Sequence, residues 1–208
     1  GITPENLLKV DAIEIKFGQS CMPGMGSILP GMNVTKEISE ELGFPAGKDI
    51  VSPSRYPDIH TPAELKAKID WLRDASNGRP IGVKLAAGHI ENDLDFVLQA
   101  NPDFITIDGR PGGIGSAPKF IKMATSIPTI YALSRARKFL DRNHIGKISL
   151  IITGGLRISP DFAKALAMGA DAVSISTSAL IAMGCQQYKI CNTGRCPMGI
   201  ATQDPALR

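Results

Sequence analysis

Short runs of apolar and β-branched residues recur along the chain and predict five strands. They are "AIEIKF" (12–17), "IGVKLA" (81–86), "DFITID" (103–108), "ISLIITG" (148–154) and "DAVSIS" (171–176). These runs are almost continuously apolar, as expected of buried strands in a parallel sheet. The stretches between them have a helical period. The chain therefore alternates strand and helix, which predicts a parallel sheet covered by helices.

Local signals indicate where two of the helices begin. Thr61 precedes "PAELKAKIDWLRDAS", and Glu64 lies three residues beyond it, which is the signature of a capping box. In "SPDFAKALAMGA" the pattern predicts Ser159 as the N-cap, Pro160 at the first helical position and Gly169 at the end. The segments "IENDLDFVLQA" and "IYALSRARKFLDRN" also have a helical period.

Two architectures place helices over a parallel sheet. A doubly wound sheet would carry a glycine fingerprint directly after its first strand. The segment "GRPGGIGSAP" (109–118) follows a later strand, and Pro118 stands where the third glycine would fall. The dinucleotide-binding interpretation is therefore rejected in favour of an α/β fold, the (β/α)8 TIM barrel. Five strands cannot close a barrel that typically needs about 250 residues, so the missing strands are expected before Gly1.

Composition and charge exclude two classes of partner. The 208 residues are 43% hydrophobic and 21% charged, with a net charge of +3. Because the lysines and arginines are dispersed, no nucleic-acid groove is expected. No apolar run is long enough for a membrane span, and the first residues do not resemble a signal peptide. The expectation is a cytoplasmic protein with reduced thiols.

Unusual residues collect at the ends of the predicted strands, where a (β/α)8 barrel places its chemistry. They are Lys16, Gln19, Lys84, Asp108, Gly112, Gly113, Gly154, Gly155, Ser176 and Thr177. In the last two strands, small residues would let backbone N–H groups approach a phosphate, and a following helix would add a favourable dipole. Two ordinary turns that need glycine remain the alternative.

Lys84 lies inside an apolar strand, where a lysine is costly to bury unless it is paired with an anion. A flavin edge that gains negative charge on reduction is one such partner. The alternative is a lysine whose ammonium group reaches the solvent at the barrel rim. The same argument applies to Lys16, and Gln19, which lies beyond the strand end, could reach the same ligand.

Three of the four cysteines form a C-x5-C-x4-C pattern at Cys185, Cys191 and Cys196. Four cysteines are too few for a disulfide scaffold. The spacing differs from the paired cysteines of structural zinc sites and from common ferredoxin runs. Three thiolates in a loop that ends in Cys-Pro would suit a three-iron cluster. The fourth, Cys21, is expected to be a small buried residue.

The chain resembles the FMN- and iron–sulfur-binding domain of the glutamate synthase family along nearly its whole length. The resemblance lies in "EIKFGQSCMPGMGSILPG", "VSPSRYPDIHTPAEL", "GVKLAAG", "ITIDGRPGGIGSAP", "TGGLRISPDFAKALAMGADAVSISTSALIAMGC" and "CQQYKICNTGRCPMGIATQDP", in that order. The last motif is the most specific, because in that family its three cysteines hold a 3Fe–4S cluster. The family has a (β/α)8 barrel with FMN at the C-terminal ends of the strands.

The resemblance implies a role for each candidate residue. Lys84 matches a lysine near the flavin N1–O2 edge, and Lys16 and Gln19 match residues that hold 2-oxoglutarate or its imine. The phosphate loops match at Gly154, Gly155, Ser176 and Thr177, and Asp108, Gly112 and Gly113 are assigned to the same cofactor site. The implied division is a barrel portion over 1–184 and a cluster loop with the C-terminal segment over 185–208.

The implied reaction is reduction of 2-iminoglutarate to glutamate by FMN, with electrons from the cluster. It would need ammonia, either free or derived from glutamine by a glutaminase domain or subunit, and an electron-donor subunit or ferredoxin. Substrate-side positions depart from the large bacterial and plant enzymes. Cys21 and Met22 replace Ala-Lys, Leu42 replaces an arginine, and Thr153 replaces an aspartate. The chain thus resembles archaeal-type or stand-alone members.

Two alternatives remain at the level of sequence. The first is a flavin and iron–sulfur protein that passes electrons to a partner or acts on a different substrate. The second is a barrel of the inosine monophosphate dehydrogenase type, which shares the Gly-Gly phosphate loop. That enzyme needs a nucleophilic cysteine in a flexible loop, and Cys21 is the residue that could serve. Under this interpretation, the tail cysteines of this chain would have no function.

Overall fold

The structure is a computed structural model that describes residues 3–22, 28–114, 117–202, 204 and 206. Its strands are β1 (Ile13–Lys16), β2 (Ile28–Leu29), β3 (Ile50–Val51), β4 (Ile81–Ala86), β5 (Phe104–Asp108), β6 (Ser149–Thr153) and β7 (Ala172–Ser174). Its helices are α1 (Pro4–Leu7), α2 (Lys36–Leu42), α3 (Pro62–Ala75), α4 (Ile90–Leu98), α5 (Lys119–Ala124), α6 (Thr129–Arg142), α7 (Ser159–Ala167) and α8 (Thr177–Ala182).

The main sheet contains five strands in the order β1-β4-β5-β6-β7, and every neighbouring pair is parallel. The five strands predicted from the apolar runs are therefore confirmed, as is their order. Because all of them run the same way, their C-terminal ends lie along one edge, here named the rim. In the part of the chain that the structure describes, β1 and β7 are edge strands and the sheet is open.

The two faces of this sheet differ in chemistry. One face lies under the helices and packs with them into the core. Its buried residues are Ile13, Ile15, Ile81, Val83, Leu85, Ile105, Ile107, Leu150 and Ile152. Residues from α3, α4, α6 and α7 complete the same core. Because side chains alternate along a strand, the polar strand residues must lie on the other face.

The opposite side, here named the polar face, carries Glu14, Lys16, Lys84, Thr106, Asp108 and Thr153. Lys16 is the register partner of Lys84, which is in turn the partner of Thr106. The Thr106 hydroxyl donates to Glu14 Oε2 at 2.6 Å. The expectation of continuously buried strands fails at β1, where Glu14 and Lys16 are exposed and the two isoleucines are buried. It also fails at β7, where no residue is buried.

The predicted capping box of α3 is confirmed. The Glu64 N–H donates to Thr61 Oγ1 at 3.2 Å, and the Thr61 N–H donates to Glu64 Oε2 at 2.8 Å. Such a cap satisfies N–H groups that have no partner inside the helix.

The predicted N-cap of α7 is wrong. Ser159 is the first helical residue, and Ile158 occupies the cap position. The carboxylate of Asp161 accepts from the N–H groups of Arg157 at 3.0 Å and Ile158 at 3.3 Å. A capping hydroxyl would bind the N–H of the second or third helical residue, but Pro160 has no N–H and the Asp161 N–H already donates to the Ile158 carbonyl at 2.9 Å.

Between β1 and α3 lies a region in which the sequence pattern predicted no element. It contains the two-residue strands β2 and β3, which pair antiparallel, and the short helix α2. Among the described residues, none of the helices is both long enough and apolar enough to cross a membrane.

A candidate active site at the C-terminal rim

Lys84 and Asp108 form an ion pair on the polar face, near the rim. Lys84 Nζ lies 3.9 Å from Asp108 Oδ2, and the two side chains are 19% and 6% exposed. Burial raises the pKa of the Asp108 carboxyl, and the nearby Lys84 ammonium partly offsets this rise. Lys84 thus has the anionic partner expected of a buried lysine. Since that partner belongs to the protein, burial of Lys84 alone does not require a ligand.

Asp108 also fixes the loop that follows β1. The Ser20 N–H donates to Asp108 Oδ2 at 3.2 Å. The Ser20 carbonyl accepts from the hydroxyls of Thr125 at 2.7 Å and Ser126 at 2.9 Å. One carboxylate therefore connects the ion pair with the loop that bears Gln19.

Gly112 and Gly113 let two rim loops pack closely together. A Cβ at Gly112 would lie 2.3 Å from Asp108 Oδ1, and a Cβ at Gly113 would lie 2.1 Å from Cys21 Sγ. Cys21 itself has no exposed surface, which confirms the expected small buried residue. The thiol is therefore not available on a flexible loop, contrary to what the inosine monophosphate dehydrogenase interpretation requires.

A cavity of about 410 Å³ lies beside β1, the strand whose Lys16 is the register partner of Lys84. Lys16 and Gln19 both line it, and Lys16 Nζ donates to Gln19 Oε1 at 3.1 Å. The rings of Phe17 and Tyr56 pack edge to face at 5.4 Å between centroids, and both residues line the cavity. The structure thus places Lys16 and Gln19 in one cavity, here named the β1 cavity.

Two residues of the β1 cavity were missed by the sequence interpretation. Arg55 and Tyr56 reach it from the segment that follows β3. The cavity has two cationic residues, Lys16 and Arg55, and no acidic residue among the described residues that line it. An arginine followed by a tyrosine in a loop gives no periodic signal, so its place in the cavity depends on the tertiary fold.

The four residues of the predicted phosphate loops lie next to each other at the rim. β6 and β7 pair with Thr153 opposite Ser174, so Gly154-Gly155 and Ser176-Thr177 continue from neighbouring strands. Gly154 is buried, and a Cβ there would lie 2.2 Å from the Gly109 carbonyl oxygen. Packing therefore accounts for Gly154. Ser176 is exposed, and Ser178 Oγ next to it is buried without a hydrogen-bond partner among the described residues.

The three tail cysteines do not converge. Cys191 is exposed, Cys185 is half-buried and Cys196 is buried. Among the residues that the structure describes, no three His, Cys, Asp or Glu side chains form a group that could hold a metal ion. Backbone N–H groups, that of Ala201 first and then that of Met198, lower the pKa of the Cys196 thiol. Ligation by these cysteines stays a prediction.

A helix-covered parallel sheet with charged side chains at the C-terminal ends of its strands is the arrangement of (β/α)8-barrel enzymes. The structure of a mandelate oxidase variant, solved with the monooxide FMN adduct, is similar to this one. The alignment covers 90% of this chain and 48% of the mandelate oxidase chain. The TM-score is 0.51 and the sequence identity 16%, a likeness of fold alone. The fold is α/β of the TIM-barrel type.

The particular family follows from the sequence comparisons. A family model for the conserved region in glutamate synthase matches residues 1–208. The chain is 42% identical to an archaeal glutamate synthase [NADPH] of Archaeoglobus fulgidus, covering all of this chain and 41% of that protein. It is 36% identical to a ferredoxin-dependent glutamate synthase of Pyropia yezoensis, covering 14% of that protein. The chain belongs to the glutamate synthase family, and it spans less than half the length of these relatives.

The ion pair predicts a pH-dependent loss of stability in Lys84→Met. Without the ammonium, the pKa of Asp108 should rise further above its ordinary value of 3.8. A carboxyl whose pKa is raised on folding stabilises the fold at low pH and loses this contribution as pH rises through the folded-state pKa. We expect Lys84→Met to lower the free energy of unfolding by about 1–3 kcal/mol at neutral pH, and by less at about pH 4.

Chemical denaturation of the full-length protein at several pH values measures this effect. The double variant Lys84→Met/Asp108→Asn should lose the pH dependence, because no carboxyl remains to be buried. If Lys84→Met were equally destabilised at both pH values, the pair would contribute through packing and not through charge.

Proposed function

We propose that this chain is part of a glutamate synthase-type oxidoreductase, which reduces 2-iminoglutarate, formed from 2-oxoglutarate and ammonia, to glutamate with FMN. The main support beyond family membership is the β1 cavity. Its described lining residues include two cationic side chains and no acidic one, and one of the two, Lys16, is the register partner of Lys84. A dicarboxylate ligand fits such a cavity, because carboxylates are held by charge-assisted hydrogen bonds.

The rim has features that fit FMN. Gly155 and Ser176 follow the neighbouring strands β6 and β7, Thr177 begins α8, and Ser178 Oγ is a buried hydroxyl without a partner among the described residues. A phosphate would satisfy such a group, since a buried unpaired hydroxyl is costly. The mandelate oxidase with the same fold type was solved with an FMN adduct, which agrees with this assignment.

Bound FMN would supply the hydride that reduces the imine carbon. The residues of this chain would bind and orient the reactants. Lys84 would place a positive charge beside the flavin, and Asp108 would hold that lysine in place. Asp108 also accepts from the Ser20 N–H and thereby positions the loop that bears Gln19. The same carboxylate would therefore position Lys84 on the cofactor side and Gln19 on the substrate side.

The flavin assignment predicts a change in redox equilibrium for Lys84→Met. Loss of a positive charge beside the flavin should favour its oxidised form by about tenfold, equivalent to about 1.4 kcal/mol. Anaerobic redox titration of the FMN-loaded full-length protein measures this change. Lys147→Met, at the opposite end of the sheet, is the matched control. If the redox equilibrium of the bound flavin did not change in Lys84→Met, the Lys84 ammonium would interact with Asp108 and not with the flavin.

Substrate binding is assigned to Lys16, Gln19 and Arg55. The large bacterial and plant members of the family have a lysine at the position of Met22, and Met22 lines the β1 cavity as an apolar residue. Leu42, at the position of the family's arginine, is 41% exposed and does not line the cavity. Arg55 is the second cationic residue that does line it. We assign Arg55 the carboxylate contact that these two positions no longer supply.

Arg55→Leu should therefore raise KM for 2-oxoglutarate by about tenfold, because a hydrogen bond between charged groups is lost. Arg55→Lys should recover part of the affinity. Steady-state kinetics of the full-length protein tests this, with Arg79→Leu, an exposed arginine before β4, as the control. A KM that does not change in Arg55→Leu would remove Arg55 from the substrate site.

The same departures favour a second candidate function. With Met22 in the cavity and Leu42 outside it, the cavity has a different set of side chains from the large bacterial and plant enzymes. A flavin and iron–sulfur protein that passes electrons to a partner, or that reduces another anionic substrate, is compatible with this cavity. It would show reversible flavin reduction without turnover of 2-oxoglutarate and ammonium.

The cysteine segment is proposed to ligate a 3Fe–4S cluster through Cys185, Cys191 and Cys196, as a C-terminal unit that follows the barrel portion. The thiolates are the soft ligands that such a cluster takes, and all three lie within residues 185–196. As described above, the thiols do not converge, so the proposal requires that the segment closes around the cluster. Metal binding commonly orders small cysteine loops in this way.

Replacement of any one of these three cysteines by serine should abolish the iron content of the purified full-length protein. Cys21→Ser should retain it, because Cys21 is buried in the β1 loop. Iron analysis under anaerobic conditions measures the difference, and hydrogen exchange of residues 185–202 should increase in the three tail variants only. Iron that persists in those variants would contradict the assignment.

The remaining partners are proposed from the family alone. Ammonia would come from solution or from a glutaminase domain or subunit. Electrons would come from a donor subunit or a ferredoxin. The relatives are named NADPH-linked and ferredoxin-dependent, which is consistent with more than one donor in the family.

A further inference from the structure

A second cavity is lined by residues of the loop that follows β5, of the helix α5 and of the cysteine segment. It has a volume of about 650 Å³. Its lining contains four cationic residues, Arg110, Lys119, Lys122 and Lys189, together with Pro111, Ala117 and Met123. No acidic residue is among the described residues that line it. This basic cavity shares no residue with the β1 cavity.

Two of the four cations are held in place by backbone carbonyl groups. Arg110 Nη1 donates to the Met123 carbonyl at 2.5 Å, and Lys122 Nζ donates to the Ile114 carbonyl at 3.3 Å. A guanidinium has five N–H donors and an ammonium has three, so each side chain keeps donors for a ligand. These bonds also tie the β5 loop to α5. The two charges are therefore positioned before any ligand binds.

The four cations of this cavity have no counter-charge among the described residues, a feature that the cavity shares with the β1 cavity but with twice as many cations. Lys36, Lys66, Lys68, Arg73, Lys84, Arg135 and Arg137 each form an ion pair with an aspartate or a glutamate. None of the four residues of the basic cavity forms an ion pair with a described residue. Cations gathered around one cavity repel each other, and an anion would remove that repulsion.

We propose that the basic cavity binds a small molecule with two or more phosphate or carboxylate groups. A single carboxylate would leave most of the positive charge uncompensated, whereas a polyanion can contact cations from all three stretches of chain at once. The volume is that of a typical small-molecule site. Pro111, Ala117 and Met123 add apolar surface for the remainder of the ligand.

Binding there would connect the rim with the cysteine segment. Arg110 and Pro111 belong to the β5 loop, while Lys189 lies between Cys185 and Cys191. A ligand held by these residues would fix the cysteine segment against the loop that contacts Ser20 and Cys21. The inference does not depend on glutamate formation. Because Pro111 packs against Gly155 and Lys189 belongs to the cysteine segment, it is tested on the protein with flavin and cluster bound.

Isothermal titration of the full-length protein with pyrophosphate and with citrate, at constant ionic strength, tests the proposal. We expect saturable binding of at least one probe at one site per chain. Lys119→Ala/Lys122→Ala should weaken it by about tenfold or more, since hydrogen bonds between charged groups are lost. Lys147→Ala should leave it unchanged, and any citrate binding that Arg55→Leu removes belongs to the β1 cavity and not to this one. Preference for pyrophosphate or citrate identifies the natural ligand as a phosphate or a carboxylate.

The proposal is overturned if neither probe binds saturably. It is also overturned if the double variant binds as the unmodified protein does, or if Lys147→Ala weakens binding as much as the double variant. Circular dichroism of the double variant verifies that it is folded. Because the readout is binding and not turnover, failure here is distinct from failure of the proposed reaction.

Discussion

A single carboxylate holds the rim together. Asp108 is buried at the end of the strand β5, and its charge is balanced by Lys84 on the neighbouring strand. The same carboxylate accepts from the Ser20 N–H and so fixes the loop after β1. Since an unpaired buried carboxylate is costly, this arrangement constrains both strands and the loop at the same time.

The rest of the proposed site follows from that constraint. The loop fixed by Asp108 carries Gln19 into the β1 cavity, where Lys16 meets it. Gly112 and Gly113 allow the β5 loop to approach Asp108 and Cys21 without a clash. Glycines that look like a ligand-binding motif in the sequence therefore serve, at least in part, to pack one rim loop on another.

The regular part of the fold could be predicted from sequence because it is local or periodic. The apolar runs identified the five strands, and Thr61 with Glu64 identified the start of α3. The predicted cap at Ser159 was wrong, because Pro160 has no N–H and the Asp161 N–H is bound by the Ile158 carbonyl, which leaves a cap hydroxyl without its usual donors. Strands as short as β2 and β3 have too few residues to show a period.

The site could be predicted only where a strand positions it. Lys16 and Lys84 are register partners, and the sequence places Lys16 near the end of its strand and Lys84 inside its strand. Arg55 was missed because a loop residue reaches the cavity through the path of the whole chain, which no local pattern reports. The basic cavity was missed for the same reason, since its cations come from separate stretches of a chain whose overall charge is only +3.

The central claim is that reduced FMN at this rim delivers hydride to 2-iminoglutarate. It is tested most directly by anaerobic reoxidation of the flavin in the full-length protein, followed by absorbance, with product analysis. After chemical reduction of the FMN, the account predicts that reoxidation requires 2-oxoglutarate and ammonium together and yields one glutamate per flavin. Flavin that stays reduced with both present, or that is reoxidised by 2-oxoglutarate alone, would contradict it.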